Sequence, residues 1–121
     1  MKIAGRLALP RLRMLHYLWC TSGQNQIVHC LDLDIAASAL ERIEAERRLD
    51  ILVKNYIECA LNSGDYEMLS TPSPEKYWEQ FRRGRRVEPT TPSITIRIPD
   101  LVPTECTDSR IPVLAFEALA V

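Results

Sequence analysis

An amphipathic pattern in the middle of this 121-residue chain restricts its possible folds more than any other sequence feature. Between residues 38 and 62, apolar side chains recur every three or four positions, so they line one face of a helix about six turns long. These residues are Ala45, Leu49, Leu52, Val53, Tyr56, Ile57 and Ala60. The opposite face carries polar side chains, among them Glu58. A helix with one apolar face must pack against another layer of the protein.

Capping residues define the expected ends of this helix. Ser38 is followed three residues later by Glu41, which is the spacing of a capping box, and Gly64 follows the last apolar residue as a helix stop. We expect Leu52 and Tyr56 to be buried against a sheet, because both lie on the apolar face.

Two strand-like segments precede the helix. Residues 12–20 are rich in aromatic and aliphatic side chains, and residues 26–35 alternate in character, so that their odd-numbered positions are expected to face the core. Residues 21–25 contain Ser, Gly and Asn, which favour a turn. The two segments therefore predict a β-hairpin, and residues 33–37 can continue past a bend as a further short strand.

A shorter helix is expected after a loop at residues 65–72. Ser73 is placed to cap it, Pro74 suits its first position, and Gly84 ends it.

The last part of the chain contains one clear strand signal. Residues 94–98 have the sequence Ile-Thr-Ile-Arg-Ile, whose alternation predicts a strand with one buried face. The tail at residues 111–121 is apolar, and Pro112 excludes a helix through that point. The tail is therefore either a last strand or a short helix.

These elements predict an α+β fold, in which the long helix lies across a two-layer antiparallel sheet in the order β-β-(β)-α-α-β. Residues 1–13 are interpreted as a poorly ordered N-terminal extension and residues 14–84 as the core. Residues 85–93, which contain two prolines, are interpreted as a linker. Residues 94–121 are expected to complete the sheet or a dimer interface.

Composition and motifs leave an enzyme possible but give no support for one. Hydrophobic residues make up 46% of the chain and its net charge is −1, so the chain as a whole is neither disordered nor a polycation. No phosphate-binding loop, dinucleotide-binding, zinc-protease or serine-hydrolase motif is present in the sequence. The N-terminus is a poor signal peptide and the cysteines lack Cys-x-x-Cys spacing, so we expect reduced thiols and a cytoplasmic location.

Two groups of side chains are candidates for metal or proton chemistry. Asp32 and Asp34 lie at alternate positions of the second strand, so both can point the same way and share a metal or a proton. The alternative is a solvated strand face. If the hairpin pairs residue 18 with residue 29, then His16, Cys20 and His29 share one face, as zinc ligands would. The alternative is ordinary packing, and we expect no bound metal or cofactor.

Two further segments are candidates for partner binding. Four arginines occur within five residues and can meet phosphates or an acidic protein, or can simply be solvated: Arg82, Arg83, Arg85 and Arg86. The strand at residues 94–98 is similar to the opening strand of ribbon-helix-helix DNA-binding domains. Prolines interrupt the residues that would form the following helices, so we expect weak or no nucleic-acid binding.

The segment from Ile27 to Ala37, Ile-Val-His-Cys-Leu-Asp-Leu-Asp-Ile-Ala-Ala, is followed by Glu44-Ala45 and the amphipathic helix. This pattern resembles the HicB-like antitoxin family, in which a strand ending in Cys-Leu-x-x-Asp-Ile-Ala precedes a short polar turn and a helix that opens with Glu-Ala. The resemblance covers about residues 14–64. Many members carry Gly-Asp-Thr before the helix, where this chain has Ala-Leu-Glu at residues 39–41.

The resemblance implies a partial ribonuclease-H-like sheet with a helix across it and without the full catalytic carboxylate set. It implies a protein that neutralises a HicA-like toxin, a small RNA-cleaving protein, by occlusion and without a cofactor. A stand-alone relative without a toxin is also compatible with it. Full-length antitoxins often carry a C-terminal DNA-binding domain, for which this chain offers only the strand at residues 94–98.

Two other functions remain open on the sequence alone. One is a small metal-dependent hydrolase that uses Asp32 and Asp34, and the other is a structural homo-oligomer without chemistry. We also expect a homodimer with Ile94, Ile96 and Ile98, the apolar tail, or both at its interface, because a small monomer would struggle to hide this apolar surface.

Overall fold

The computed structural model describes residues 12–99 and 106–119, which contain six strands and two α-helices. In chain order the elements are β1 (Leu15–Ser22), β2 (Asn25–Cys30), β3 (Ile35–Ala39), α1 (Arg42–Ser63), a 3₁₀ helix (Tyr66–Ser70), α2 (Glu75–Arg83), β4 (Arg85–Val87), β5 (Ser93–Pro99) and β6 (Cys106–Glu117). The α+β class predicted from the sequence is confirmed.

The strands form one mixed sheet in the order β3-β2-β1-β6-β4, with β5 paired to the first half of β6. The expected antiparallel pairing holds for every strand pair except β1 and β6, which run parallel. The chain leaves the sheet after β3 through α1 and returns on the other side of β1. Such a crossover is what allows a parallel pair.

The N-terminal hairpin has the register that places residue 18 opposite residue 29. β2 ends at Cys30, earlier than expected, because a turn follows in which Asp34 has a φ of 55° and redirects the chain into β3. The expected further strand is therefore present. The prediction that the odd-numbered residues of β2 face the core is wrong. The even-numbered Val28 and Cys30 are fully buried, and His29 is half-buried on the other face.

α1 begins at Arg42, because Ser38 is part of β3 and does not cap the helix. The prediction that Leu52 is buried is wrong, since 46% of this residue is exposed. Tyr56 is half-buried, and its hydroxyl donates a hydrogen bond to the Met68 carbonyl at 3.0 Å. The buried face of α1 is therefore rotated relative to the predicted apolar face. It consists of Ala45, Glu46, Leu49, Val53, Ile57, Ala60 and Leu61.

Glu58 was expected to face solvent on the outer side of α1, but it joins the helix to β5. Its carboxylate accepts hydrogen bonds from the Lys54 ammonium and from the Arg97 backbone N–H, both at 2.9 Å. Its side chain is only 20% exposed. The expectation of a free, solvated Glu58 is therefore wrong.

Each face of the sheet is covered by a helix. The larger core lies under α1 and contains these fully buried side chains: Leu15, Tyr17, Trp19, Val28, Cys30, Leu49, Val53 and Ile57. The smaller core lies on the other face, where Phe81 of α2 packs with Leu18 and Leu31. The sequence predicts two layers, the sheet and α1. The structure adds part of a third layer, because aromatic residues of α2 cover the second face of the sheet.

The expected short helix is present as α2, although Pro74 precedes it and Ser73 does not cap it. The expected loop at residues 65–72 contains the 3₁₀ helix. The expected linker at residues 85–93 begins with β4, so it is not entirely irregular.

β5 and β6 belong to the chain's own sheet. Ile94, Ile96 and Ile98 are buried in the larger core, in which α1 packs on β5. The expected dimer contact through these three isoleucines is therefore wrong. Residues 111–117 of the apolar tail belong to β6, so this part of the tail is a strand and not a helix. Of the expected N-terminal extension, residues 1–11 lie outside the described residues, whereas Leu12 is buried in the core.

Candidate partner-binding surfaces

Asp32 does not lie on a strand face but in the turn after β2, where it binds His16 of β1. Its carboxylate accepts a hydrogen bond from the His16 backbone N–H at 2.6 Å, and its other oxygen lies 3.0 Å from His16 Nδ1. The His16 ring stands edge-on against Trp78 and Phe81 of α2. This pair therefore joins the β2–β3 turn to the second face of the sheet.

Asp34 forms a second aspartate–histidine pair. Its Oδ1 lies 2.8 Å from His29 Nε2 and accepts a hydrogen bond of 2.8 Å from the Ser73 hydroxyl. The Ser73 and His29 hydrogen bonds lower the pKa of this carboxyl below its usual value. The Ser73 backbone N–H also donates to the Leu31 carbonyl at 2.8 Å. Ser73 is thus a buried anchor for the start of α2.

The arrangement of Ser73, His29 and Asp34 differs from a catalytic triad. In a triad the histidine lies between the other two groups and uses both ring nitrogens. Here His29 Nε2 lies near both Asp34 Oδ1 and the Ser73 hydroxyl, at 2.8 and 3.0 Å, and Ser73 is 5% exposed. The geometry fixes α2 to the sheet and does not present a nucleophile.

Asp32 and Asp34 are each engaged by a different histidine, so the expected shared carboxylate pair is not formed. The register that brings His16, Cys20 and His29 to one face is correct, but the two histidines bind their aspartates. Within residues 12–99 and 106–119, no group of three or more His, Cys, Asp and Glu side chains is placed to hold a metal ion.

Three of the four cysteines have described side chains, and all three are free thiols. Cys30 is buried, Cys20 is half-buried and Cys59 is exposed, so the expectation that they are packed fails for Cys59. Burial raises the pKa of the Cys30 thiol far above its usual value.

The four arginines lie at the end of α2 and in β4, at one edge of the sheet. Arg82 pairs with Glu75 of the same helix, and Arg85 pairs with Glu117 of β6. Glu117 also binds Arg42 at 2.6 Å, and the hydrogen bonds from the two arginines lower its pKa. Two of the four positive charges are therefore balanced locally, which weakens this edge as a phosphate-binding surface.

The strand similar to a DNA-reading strand is paired within its own chain. The side chains of Ile94, Ile96 and Ile98 are buried, and β5 pairs along its length with β6 of the same chain. A ribbon-helix-helix strand must instead pair with a second chain and lie in the major groove.

An acidic surface segment connects α1 to the middle of α2. Residues 65–79 contain one lysine and these four exposed carboxylates: Asp65, Glu67, Glu75 and Glu79. Apolar side chains fix the segment to the protein, since Leu69 is buried and Tyr77 and Trp78 pack on the second face of the sheet. Because Arg82 pairs with Glu75, the segment's remaining negative charge lies on Asp65, Glu67 and Glu79, on a surface fixed to the protein.

Sequence reasoning missed two carboxylates on α1, the buried Glu46 and the half-buried Asp50. Glu46, only 2% exposed, accepts a hydrogen bond from the Thr91 backbone N–H at 2.8 Å. Asp50, one turn later, accepts a hydrogen bond from the Tyr17 hydroxyl at 2.8 Å. Burial raises the pKa of both carboxyls. The pair holds the loop between β4 and β5 against α1.

The helical spacing contained a signal for this pair. Glu46 lies three residues before Leu49 and seven before Val53, so it falls on the buried stripe. Its partner Thr91 is distant in sequence, and no local pattern identifies it.

No family model, curated protein or solved structure matches this chain. Neither α1 nor α2, the helices found in the described residues, is both long enough and apolar enough to cross a membrane.

Proposed function

We propose that the chain is a HicB-like protein-binding module that neutralises a small RNA-cleaving toxin by occlusion. The observation that carries the proposal is the connectivity: an antiparallel β1-β2-β3 unit is followed by a helix across it, and a later strand joins β1 in parallel. This agrees with the partial ribonuclease-H-like fold implied by the sequence resemblance. That resemblance covers residues 14–64, which include β1 to α1.

The hydrogen bonds of Asp32 and Asp34 favour a binding protein over a hydrolase. A metal-dependent hydrolase using Asp32 and Asp34 would need both carboxylates to face one ion. Here each carboxylate is hydrogen-bonded to its own histidine at 2.8–3.0 Å. The hydrolase alternative therefore has no observation in its favour.

The acidic segment at residues 65–79 is the surface best suited to such a toxin. A protein that cleaves RNA must present positive charge to phosphates, so its RNA-binding face is complementary to carboxylates. Covering that face with about 1,600 Å² of total buried surface would exclude RNA without any chemistry by the antitoxin. Acting on an RNA-cleaving toxin places the proposed function in the cytoplasm.

Inhibition of a purified HicA-type ribonuclease tests the proposal. A fixed amount of the ribonuclease is titrated with this protein while cleavage of a labelled RNA is measured. We expect cleavage to fall in proportion to added protein and to stop near equal amounts, since occlusion is stoichiometric. Unchanged cleavage by every ribonuclease of a HicA-type panel, at tenfold excess of this protein, would overturn the proposal.

A charge-reversal pair tests the surface. Glu79→Lys alters the acidic segment, and Glu88→Lys makes the same charge change at an exposed position outside it. We expect Glu79→Lys to weaken inhibition by about tenfold, the scale of one lost charge contact in an interface, and Glu88→Lys to leave it unchanged. Equal effects of the two changes would remove the segment from the interface.

A further inference from the structure

The strands at the ends of the sheet differ in how far their own residues protect them. β3 lies at one end of the strand order, and β4 and β5 both pair with β6 towards the other end. The unpaired backbone groups of such strands can accept another strand, and short length and charge are the usual protection. β4 has three residues, of which Arg85 and Arg86 are charged. β3 and β5 are longer, with five and seven residues, so their protection must come from elsewhere in the chain.

The outer side of β5 follows from the hydrogen bonds of β6. The Ala118 N–H donates to the Trp19 carbonyl of β1 at 2.8 Å, whereas the Val113 N–H, five residues earlier, donates to the Pro92 carbonyl at 2.9 Å. Because successive residues of a strand bond to opposite sides, Val113 faces away from β1. β5 begins directly after Pro92, so it lies on the side of β6 away from β1, and no described strand pairs with its outer side.

Glu58 of α1 occupies a backbone group on this outer side. The bond between Val113 and Pro92 sets the alternation, so that the even-numbered residues of β5 bond to β6 and Arg97 faces outward. The outward Arg97 N–H is the group that donates to the Glu58 carboxylate at 2.9 Å. The Lys54 ammonium holds the same carboxylate at 2.9 Å from one turn earlier in α1. The edge of β5 is thus capped by a side chain of the helix.

Arg48 of α1 occupies a backbone group on the outer side of β3. The two-residue turn at residues 23–24 makes the odd-numbered residues of β2 bond to β1 and its even-numbered residues bond to β3. Ser38 lies opposite Ile27, an odd-numbered residue, so its backbone groups face outward. The Arg48 guanidinium donates to the outward Ser38 carbonyl at 2.9 Å. The Glu44 carboxylate holds this guanidinium at 3.2 Å from one turn earlier in α1.

The two contacts share one arrangement. A guanidinium can only donate and a carboxylate can only accept, so Arg48 meets a carbonyl and Glu58 meets an N–H. Each capping side chain is paired with the opposite charge four residues earlier, Glu44 for Arg48 and Lys54 for Glu58. Hydrogen bonds that involve a charged group are roughly twice as strong as neutral ones, so each cap resists displacement by a neutral backbone.

We propose that α1 guards the two long edges of the sheet through Arg48 and Glu58, so that β3 and β5 are closed to the strands of further copies of this chain. A strand that paired with either edge would have to displace a charge-assisted hydrogen bond and lie against a charged side chain. β4 needs no such cap, because it is short and carries its own arginines. The guard is independent of the proposed function, since neither side chain lies in the acidic segment.

Amide exchange measured by NMR tests the cap at β5. Glu58→Ala removes the acceptor of the Arg97 N–H, whereas Glu58→Gln keeps an oxygen that can accept the same bond. We expect the Arg97 amide to exchange about tenfold faster in Glu58→Ala, the scale set by one hydrogen bond to a charged group, and to accelerate less in Glu58→Gln. An Arg97 amide that exchanges equally fast in the wild type and in Glu58→Ala would overturn the proposal.

Sedimentation velocity tests the guard itself. The double variant Arg48→Ala/Glu58→Ala uncaps both edges and leaves the net charge at the wild-type value. The matched control, Arg47→Ala/Glu67→Ala, makes the same charge change at two other exposed positions. At about 50 µM we expect larger species in the double variant than in the wild type, and we expect the control to sediment as the wild type does.

Circular dichroism separates association of the folded chain from unfolding. We expect the double variant to keep the wild-type spectrum; if it unfolds, the single variants Arg48→Ala and Glu58→Ala decide the question by the same measurement. A folded double variant that sediments like the wild type would overturn the proposal, because Arg48 and Glu58 would then only fix α1 to the sheet. Equal association in the control would also overturn it. Failure to inhibit any ribonuclease would leave these results unaffected.

Discussion

Replacing Gly84 with alanine tests how closely the junction of α2 and β4 approaches β6. An alanine Cβ at this position would lie 2.5 Å from the backbone oxygen of Glu117 and 3.1 Å from that of Gln80. Ordinary contacts between carbon and oxygen are about 3.3–3.6 Å, so the overlap with Glu117 is close to 1 Å. The oxygen belongs to a strand backbone held on both sides, by β1 and by β4, and cannot move away without disturbing the sheet.

Two effects of opposite sign decide the outcome of Gly84→Ala. The φ of Gly84 is −77°, which alanine adopts without strain, so the loss of chain entropy in the unfolded state alone would stabilise the protein by about 0.4–1 kcal/mol. Overpacking against a fixed backbone costs about 1–3 kcal/mol. We therefore expect a net loss of about 1–2 kcal/mol in the free energy of unfolding.

Urea unfolding followed by tryptophan fluorescence measures this loss. Gly64→Ala is the comparison, because Gly64 has a φ of 76° and open space around it, so its cost of about 1–2 kcal/mol comes from backbone conformation alone. Amide exchange separates the two causes: exchange in β4 should accelerate only in Gly84→Ala. A Gly84→Ala protein as stable as the wild type would refute the close approach.

Three further predictions concern the helix, the charges and the pH response. Ile57→Ala should cost about 2–5 kcal/mol in urea unfolding, whereas Leu52→Ala, at an exposed position, should cost under about 0.5 kcal/mol. Serine at all four arginines of one edge should change stability little and leave duplex DNA binding weak at physiological salt, as measured by fluorescence anisotropy; the positions are Arg82, Arg83, Arg85 and Arg86. Because burial raises the folded-state pKa of Glu46, its stabilising effect is full below its ordinary pKa of about 4.3 and is lost as the pH rises through the folded value. The wild type should therefore lose stability relative to Glu46→Gln over that range, and a relative gain would contradict the raised pKa.

The helical spacing predicted α1 but not the exact position of its covered stripe. Periodicity identifies the apolar side of α1. How much of that side is buried depends on where β3 and β5 end beneath the helix. Leu52 is 46% exposed although it lies on the apolar side, whereas Glu46 is buried where a loop residue, Thr91, supplies its hydrogen bond. The helical spacing places Glu46 on the buried stripe, but the neighbouring sequence identifies neither its partner Thr91 nor the exposure of Leu52.

For the strands, too, the sequence predicts the element but not its neighbours. The turn and the pattern correctly predicted a hairpin, and the alternation of residues 94–98 correctly predicted a strand, but the register that pairs residue 18 with residue 29 was left open by the sequence. An alternating pattern does not specify which other strand will pair with the predicted one. The sequence therefore left open whether Ile96 would be buried in its own sheet or in a dimer, and the structure places it under α1.

The contacts that hold the acidic segment give it a role beyond simple surface charge. It is fixed at its start by the bond from Tyr56 to the Met68 carbonyl, and at its centre by Ser73 with Asp34 and the Leu31 carbonyl. A surface that is ordered before binding loses less conformational entropy when a partner arrives. The aspartates and histidines of these two pairs, which the sequence suggested as two separate metal or proton sites, instead hold α2 and the start of the acidic segment's second half in place, beside the surface proposed to bind a toxin.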